Sequence, residues 1–267
     1  MAVARSISTP QGKLTIRQAA LSSVALVAVI ILGWFFTVRQ AEGETGMAGM
    51  AGTMGMALVP FLLMWLPMVV AMMFPTVGPS AVAAVRGEPD GMPQRPITAR
   101  VAAFMTTYLV VWILFGLVVF LVLDGAAELI SIPPANGKWL AAGIYGVAGL
   151  YQFTSVKDRC RRRCRSARCC HTEEGSTLAQ TVRVAANHGL ICIGCCAAYM
   201  VVLITVGMTN IAAMAILTVV IFVERHVRAQ SAVVSRIAGV LLLLAAVLTP
   251  FIMWLHPGLP GPLTATM

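Results

Sequence analysis

The chain has 267 residues, of which 59% are hydrophobic and only 11% charged, and its mean hydropathy is +0.87. Soluble domains carry about 45–50% apolar and about 25% charged residues. The composition therefore excludes a water-soluble globule, a disordered chain and a small disulfide scaffold, and leaves a polytopic membrane protein. The net charge of +9, from 19 Lys and Arg against 10 Asp and Glu, fits either nucleic-acid binding or basic cytoplasmic loops, and a count loop by loop separates the two.

A helix needs about 20 apolar residues to cross a hydrocarbon layer of about 30 Å. Seven stretches reach or approach that length, at about 19–38, 57–78, 102–123, 138–154, 184–206, 209–224 and 236–255, the fourth and sixth being short. They are continuous, not alternating, which excludes a transmembrane β-barrel. The predicted fold is all-α, a polytopic transmembrane bundle of seven spans. The first stretch follows a basic start (Arg5, Lys13, Arg17), as a signal peptide would. Trp34, Phe35 and Phe36 stand where cleavage would need small residues, so it is read as a retained span. Residues 1–56 then comprise this span and an outer Met-rich loop, 57–256 the transmembrane core with a cytoplasmic Cys/Arg loop at 157–183, and 257–267 a short outer tail.

The basic residues sort by side. The N-terminal tail, the loop after span two (Arg86, Arg95, Arg100), the loop after span four (Lys157 to Arg183) and the loop after span six (Arg225, Arg228, Arg236) together hold all of them except Arg39 and Lys138. The positive-inside bias then puts the N-terminus in the cytoplasm and the C-terminus outside. Nearly all the excess charge is thereby explained, and no nucleic-acid partner is expected. The expected surroundings are a lipid bilayer, the plasma (inner) membrane.

Sulfur is distributed along this topology. Outside, GMAGMAGTMGM carries Met47, Met50, Met54 and Met56 and no Cys. Thioethers survive an oxidising compartment better than thiols and favour soft Cu(I); a flexible low-complexity linker is the alternative. In WLPMVVAMMFP of span two, Met64, Met68 and Met72 recur every four residues on one helix face, with Met73 to one side. Met68, Met72 and Met73 are candidate soft-ion ligands expected to meet the His188–Cys196 stripe inside the bundle, although for a Met stripe alone apolar packing is the commoner explanation. Pro67 frees a carbonyl nearby, and Pro75 and Pro79 are expected to close the span.

All seven Cys fall between 160 and 196. Cys160 and Cys164 share one side of a helical turn amid Arg161, Arg162, Arg163, Arg165 and Arg168, which should favour thiolates. Cys169, Cys170 and His171 follow. The spacing matches no zinc ribbon, and the Arg run also suits an anchor on anionic lipid. Span five holds the sharpest pattern, HGLICIGCC. His188, Cys192 and Cys196 are spaced by four, and Cys195 borders the same face. An ionisable stripe within a span is costly and points to function; imidazole and thiolate together suit Cu(I), with Zn(II) as the alternative ion. Gly189 and Gly194 would admit a neighbouring helix closely. Glu224 closes span six, where an interfacial ion pair with its neighbours is the expectation. No P-loop and no Ser/His/Asp arrangement is found, so an enzyme is not the first expectation. The rival reading is a membrane thiol oxidoreductase cycling Cys192, Cys195 and Cys196 with a quinone; a non-catalytic assembly factor is a third.

With these motifs set out, the chain resembles the bacterial predicted metal-binding integral membrane proteins, copper chaperone-like multi-pass proteins, from about residue 60 to 225. The resemblance rests on Trp65, Met68, Ala71, Met72, Met73 and Pro75, on Leu150, Tyr151 and Gln152 with Cys160 and Cys164, and on His188, Gly189, Cys192, Gly194, Cys195 and Cys196. Glu224 matches an acidic position near its end. The resemblance implies a soft-metal site, most simply Cu(I), served by a copper donor or a cuproprotein client. Cys169, Cys170, His171 and the outer Met loop lie outside its pattern.

Overall fold

The computed structural model describes residues 10–43, 57–85, 97–129, 137–165, 178–208, 210–227 and 230–252. Among them are eight helices and no strand: α1 (Pro10–Gly43), α2 (Leu58–Val85), α3 (Ile97–Leu129), α4 (Gly137–Tyr151), α5 (Ser155–Arg165), α6 (Leu178–Val206), α7 (Ile211–His226) and α8 (Ser231–Leu248). Met47, Met50, Met54 and Met56, the triplet Cys169, Cys170 and His171, and the tail 257–267 lie outside the described residues.

Among the described residues, five helices, α1, α2, α3, α6 and α8, are long and apolar enough to cross a membrane. Helices stand where the fourth and sixth spans were expected, but α4 has 15 residues and α7 has 16. At 1.5 Å per residue these reach about 22–24 Å, short of a hydrocarbon core of about 30 Å. The outward faces of the bundle carry large apolar side chains, among them Val24, Leu114, Val147 and Val247. A surface of this kind fits lipid contact.

Two helices form the centre. Over half the residues in the apolar windows of α2 and α6 are buried, against far fewer in α1 and α8. α6 packs on α3, α4, α5 and α7, whereas α2 packs on α1, α3 and α7. The buried positions of α6 (Ala185, His188, Cys192, Cys195, Cys196, Tyr199 and Leu203 among them) advance by threes and fours, one stripe along a helix. Gly207, with φ +100°, ends α6 in the left-handed region, and Asn210 then caps α7 by accepting from the Ala213 N–H at 3.0 Å.

Three sequence expectations change here. Pro75 and Pro79 do not close α2, which runs on to Val85. Pro67 does free the Leu63 carbonyl, but Gln40 of α1 donates to it at 3.2 Å, so it is not left to the Met stripe. The loop after span four is not all loop. Thr154 accepts from the Lys157 N–H at 3.2 Å and starts α5, with Asp158 in its first turn and Arg residues following, the order a helix dipole favours. One face of α5 (Lys157, Arg161 and Cys164) is buried while Arg162 and Arg163 remain exposed. Arg100, Lys157, Arg161 and Arg225, all counted as loop cations in the topology argument, are buried in helices.

Candidate functional site

The α6 stripe meets three other helices. From α3, Tyr108 donates its hydroxyl to Cys192 Sγ at 3.1 Å. From α7, Arg225 places Nη1 3.3 Å from Cys192 Sγ and donates through Nη2 to His188 Nε2. From α5, the Cys164 thiol hydrogen-bonds with both Cys192 and Cys195. Cys196, one turn along α6, hydrogen-bonds with Cys192. His188 and Cys192 are fully buried, and Tyr108 and Phe104 rings flank the imidazole at 6.1 and 5.9 Å. Cys164, Cys192, Cys195 and Cys196 thus form one thiol cluster with His188 at its edge.

The two glycines expected to admit neighbours do so. A Cβ on Gly194 would lie 2.8 Å from Cys160 Sγ, and one on Gly189 would lie 3.0 Å from Val111. The bare backbone of Gly194 is what lets α5 lay Cys160 against α6, and Tyr151 secures the junction by donating to the Gly194 carbonyl at 2.6 Å.

A second buried polar group braces the far side of the cluster. Lys157 Nζ donates to the Cys195 carbonyl at 2.7 Å, pairs with Glu224 at 3.1 Å and stands 4.3 Å from the centre of the Tyr199 ring. Tyr199 donates to the other Glu224 oxygen at 2.5 Å. Arg161 bonds Asp158 at 2.7 Å and donates to Ser231 of α8. Glu224 is therefore not an interfacial residue paired with its sequence neighbours; it is buried against Lys157, from 67 positions earlier in the chain. A buried charge without compensation is costly, and these contacts supply it.

At Cys160 and Cys164 burial and neighbouring thiols outweigh the Arg residues around them. Burial pushes the Cys160 thiol above its ordinary value, with Cys195 adding to the effect and Arg163, Arg159 and Lys157 opposing it. Cys164 is raised well above that value, first by its hydrogen bonds to Cys192 and Cys195 and then by burial. The guanidinium groups of Arg162 and Arg163 face away, so their influence is outweighed.

Met68, Met72 and Met73 are buried on α2 in the same core cluster as Cys192, Cys195 and Cys196, and the main packing partners of α2 are α1, α3 and α7. Phe61, Trp65 and Phe74 of α2 belong to that same core. Among the described residues, no three His, Cys, Asp or Glu side chains are arranged to hold a metal ion as they stand. His188 Nε2 accepts from the Arg225 guanidinium, and Cys192 Sγ faces both that guanidinium and the Tyr108 hydroxyl. The chemistry of the donor set still suits a soft ion, since thiolate and imidazole are its preferred ligands.

Tyr108, Lys157, Tyr199 and Arg225 escape a sequence reading. Each reaches the stripe from another helix, across 84 residues for Tyr108 and 33 for Arg225. One signal was available: Lys157, Cys160, Arg161 and Cys164 share a helical face.

Residues 62–249 match the family model PpoB2, described as a copper chaperone. No curated protein and no solved structure matches the chain significantly. The match covers well over half the sequence, and the chain belongs to this copper chaperone family.

Proposed function

We propose that this member of the PpoB2 copper chaperone family is a seven-span protein of a bacterial inner membrane that accepts Cu(I) and passes it to a membrane or extracytoplasmic cuproprotein. The observation that carries the reading is the convergence of Cys164 from α5 with Cys192 and Cys195 from α6, beside His188 and Cys196. Thiolates and an imidazole in a dry interior suit a soft monovalent ion that accepts low coordination; zinc is the competing ion for the same donors. Cys160, half-buried on α5 against Gly194, would hand metal between a soluble partner and the cluster. Met47, Met50 and Met54 would collect the ion on the outer side. Met68, Met72 and Met73 serve as an apolar, sulfur-bearing wall in the core. No P-loop is present in the sequence, so movement would follow a gradient of affinity or concentration.

In this reading the N-terminus lies in the cytoplasm. Seventeen of the 19 basic residues sort to one side, and burial of four of them in helices leaves the bias standing. A reporter active only outside the cytoplasm should be silent when fused after residue 90 or 170 and active after 130 or 262; activity at 170 would reverse the orientation.

The copper reading is tested by elemental analysis of protein purified under reducing conditions. Stoichiometric copper is expected in the wild type, and loss of it in the Cys192→Ser/Cys196→Ser variant. Equal loading of both would remove the site. A dithiol–disulfide transition in metal-free protein, coupled to quinone reduction, would instead establish the thiol oxidoreductase reading, which the contact between Cys164 and Cys192 also supports.

A further inference from the structure

Arg225 is buried at the end of α7, with one guanidinium nitrogen on Cys192 Sγ and the other on His188 Nε2. A guanidinium stays charged at any physiological pH and has no lone pair to offer, so it can never be a metal ligand. It donates to Nε2, which requires a neutral imidazole presenting that nitrogen as acceptor. Nε2 in that form is also what a metal would use. The arrangement thus fixes a unit positive charge against the two donors most suited to an ion.

We propose that Arg225 sets the charge of the ion this site accepts, selecting a monovalent over a divalent cation. This inference rests on the copper reading above. The imidazole Nε2 has one lone pair, so an ion on His188 displaces the guanidinium from that atom, whereas the Cys192 sulfur has further lone pairs and can keep its contact. The tether of Arg225 on α7 keeps the charge close by. A fixed guanidinium charge beside the bound ion opposes a divalent cation by one more unit of Coulomb interaction than it opposes a monovalent one, whatever number of the Cys164, Cys192, Cys195 and Cys196 thiols ionise around that ion. In an apolar interior that difference is weakly screened. Lys157 adds no further net charge, because Glu224 pairs with it at 3.1 Å. Asp158 is engaged by Arg161 at 2.7 Å.

The selectivity effect has a sign that does not depend on how tightly either ion binds. Removing one positive charge favours the divalent ion over the monovalent one by one unit of Coulomb interaction. At about 6 Å and an effective dielectric constant of about 20, that is about a hundredfold in the ratio of affinities.

The test uses the full chain in lipid nanodiscs under reducing conditions, with Cu(I) and Zn(II) affinities measured by competition against chromophoric chelators. The wild type should take Cu(I) and should not take stoichiometric Zn(II) at this site. Arg225→Gln keeps a hydrogen-bond donor without charge, and its Cu(I)-to-Zn(II) affinity ratio should fall about a hundredfold. Arg225→Lys keeps the charge and should retain a ratio within about tenfold of wild type. An unchanged ratio in Arg225→Gln, or an equal fall in Arg225→Lys, would overturn the proposal while leaving the copper reading intact. Should Arg225→Gln fail to fold, the wild type decides: stoichiometric Zn(II) binding that the Cys192→Ser/Cys196→Ser change abolishes overturns it. A wild type that binds neither ion would instead overturn the copper reading on which it rests.

Discussion

Two helices concentrate sulfur within one buried core, and the polar side chains that reach them differ. On α2 the thioethers of Met64, Met68, Met72 and Met73 are buried with Phe61, Trp65 and Phe74, in a layer where Phe61 stacks on Trp65 at 5.8 Å and meets Phe120 at 5.3 Å. On α6 the thiols of Cys192, Cys195 and Cys196 lie among Tyr108, Cys164 and Arg225, with the Lys157–Glu224 pair bracing the Cys195 carbonyl. Both stripes are equally buried and have the same helical spacing. Aromatic rings meet both stripes; what separates them is that the α6 stripe also receives hydrogen-bond donors and cations from other helices. Sulfur content alone does not distinguish a packing face from a reactive one; the partners do.

The comparison can be broken at its most expensive point. Glu224→Gln should leave Lys157 buried without a counter-charge and destabilise the fold by about 3–5 kcal/mol, read as a large drop in the thermal unfolding midpoint in micelles. The double change Lys157→Met/Glu224→Leu removes both charges and should cost less than Glu224→Gln alone. A Glu224→Gln protein that unfolds at the wild-type temperature would mean the pair does not brace the α6 site.

Next in size is the junction of α5 with α6. Gly194→Ala would put a methyl group 2.8 Å from Cys160 Sγ, an overpacking worth about 1–3 kcal/mol. It should also expose Cys160, whose alkylation would speed up. In the wild type that alkylation should be slow near neutral pH. Only the thiolate reacts, and burial holds the Cys160 thiol above its ordinary value. The rate should climb with pH and reach its midpoint above that of a free cysteine. A midpoint at or below the free value would restore the expectation that the Arg run activates this thiol.

These cases show why part of the molecule was legible in the sequence and part was not. Apolar runs report helices directly, and the seven runs all coincide with helices; whether the 15-residue α4 and 16-residue α7 cross the membrane is a matter of length that composition does not decide. The His188–Cys196 stripe was legible because helical periodicity places those residues on one face whatever packs there. Lys157 was not, because a basic residue in an Arg-rich stretch resembles a topology signal, and only the proximity of Glu224 and Tyr199 reveals it as buried. Arg225 was misread for the same reason. A proline rule also gave way: Pro75 and Pro79 lie inside α2 because tertiary packing can offset the lost hydrogen bonds.

Smaller effects sharpen the contrast. Tyr108→Phe removes the hydroxyl donated to Cys192 at 3.1 Å and should cost about 1 kcal/mol of stability, measurable by the same unfolding assay; a neutral change would mean that the contact holds nothing. The smallest effect belongs to α2. Met68→Leu/Met72→Leu keeps apolar volume, so stability should fall by less than about 1.5 kcal/mol per site, and copper content by elemental analysis should match wild type. Loss of copper from this variant would bring the thioethers into the site and dissolve the distinction between the two helices.

The central claim is that the thiols gathered around α6, with His188, and not the α2 thioethers, hold the ion. X-ray absorption at the copper edge on Cu(I)-loaded protein tests it most directly, comparing wild type, Cys164→Ser and Met68→Leu/Met72→Leu. The account predicts a sulfur-dominated first shell with an imidazole signature in the wild type, an unchanged spectrum in the Met variant and fewer sulfur neighbours in Cys164→Ser. A spectrum that changes in the Met variant and stays the same in Cys164→Ser would contradict it.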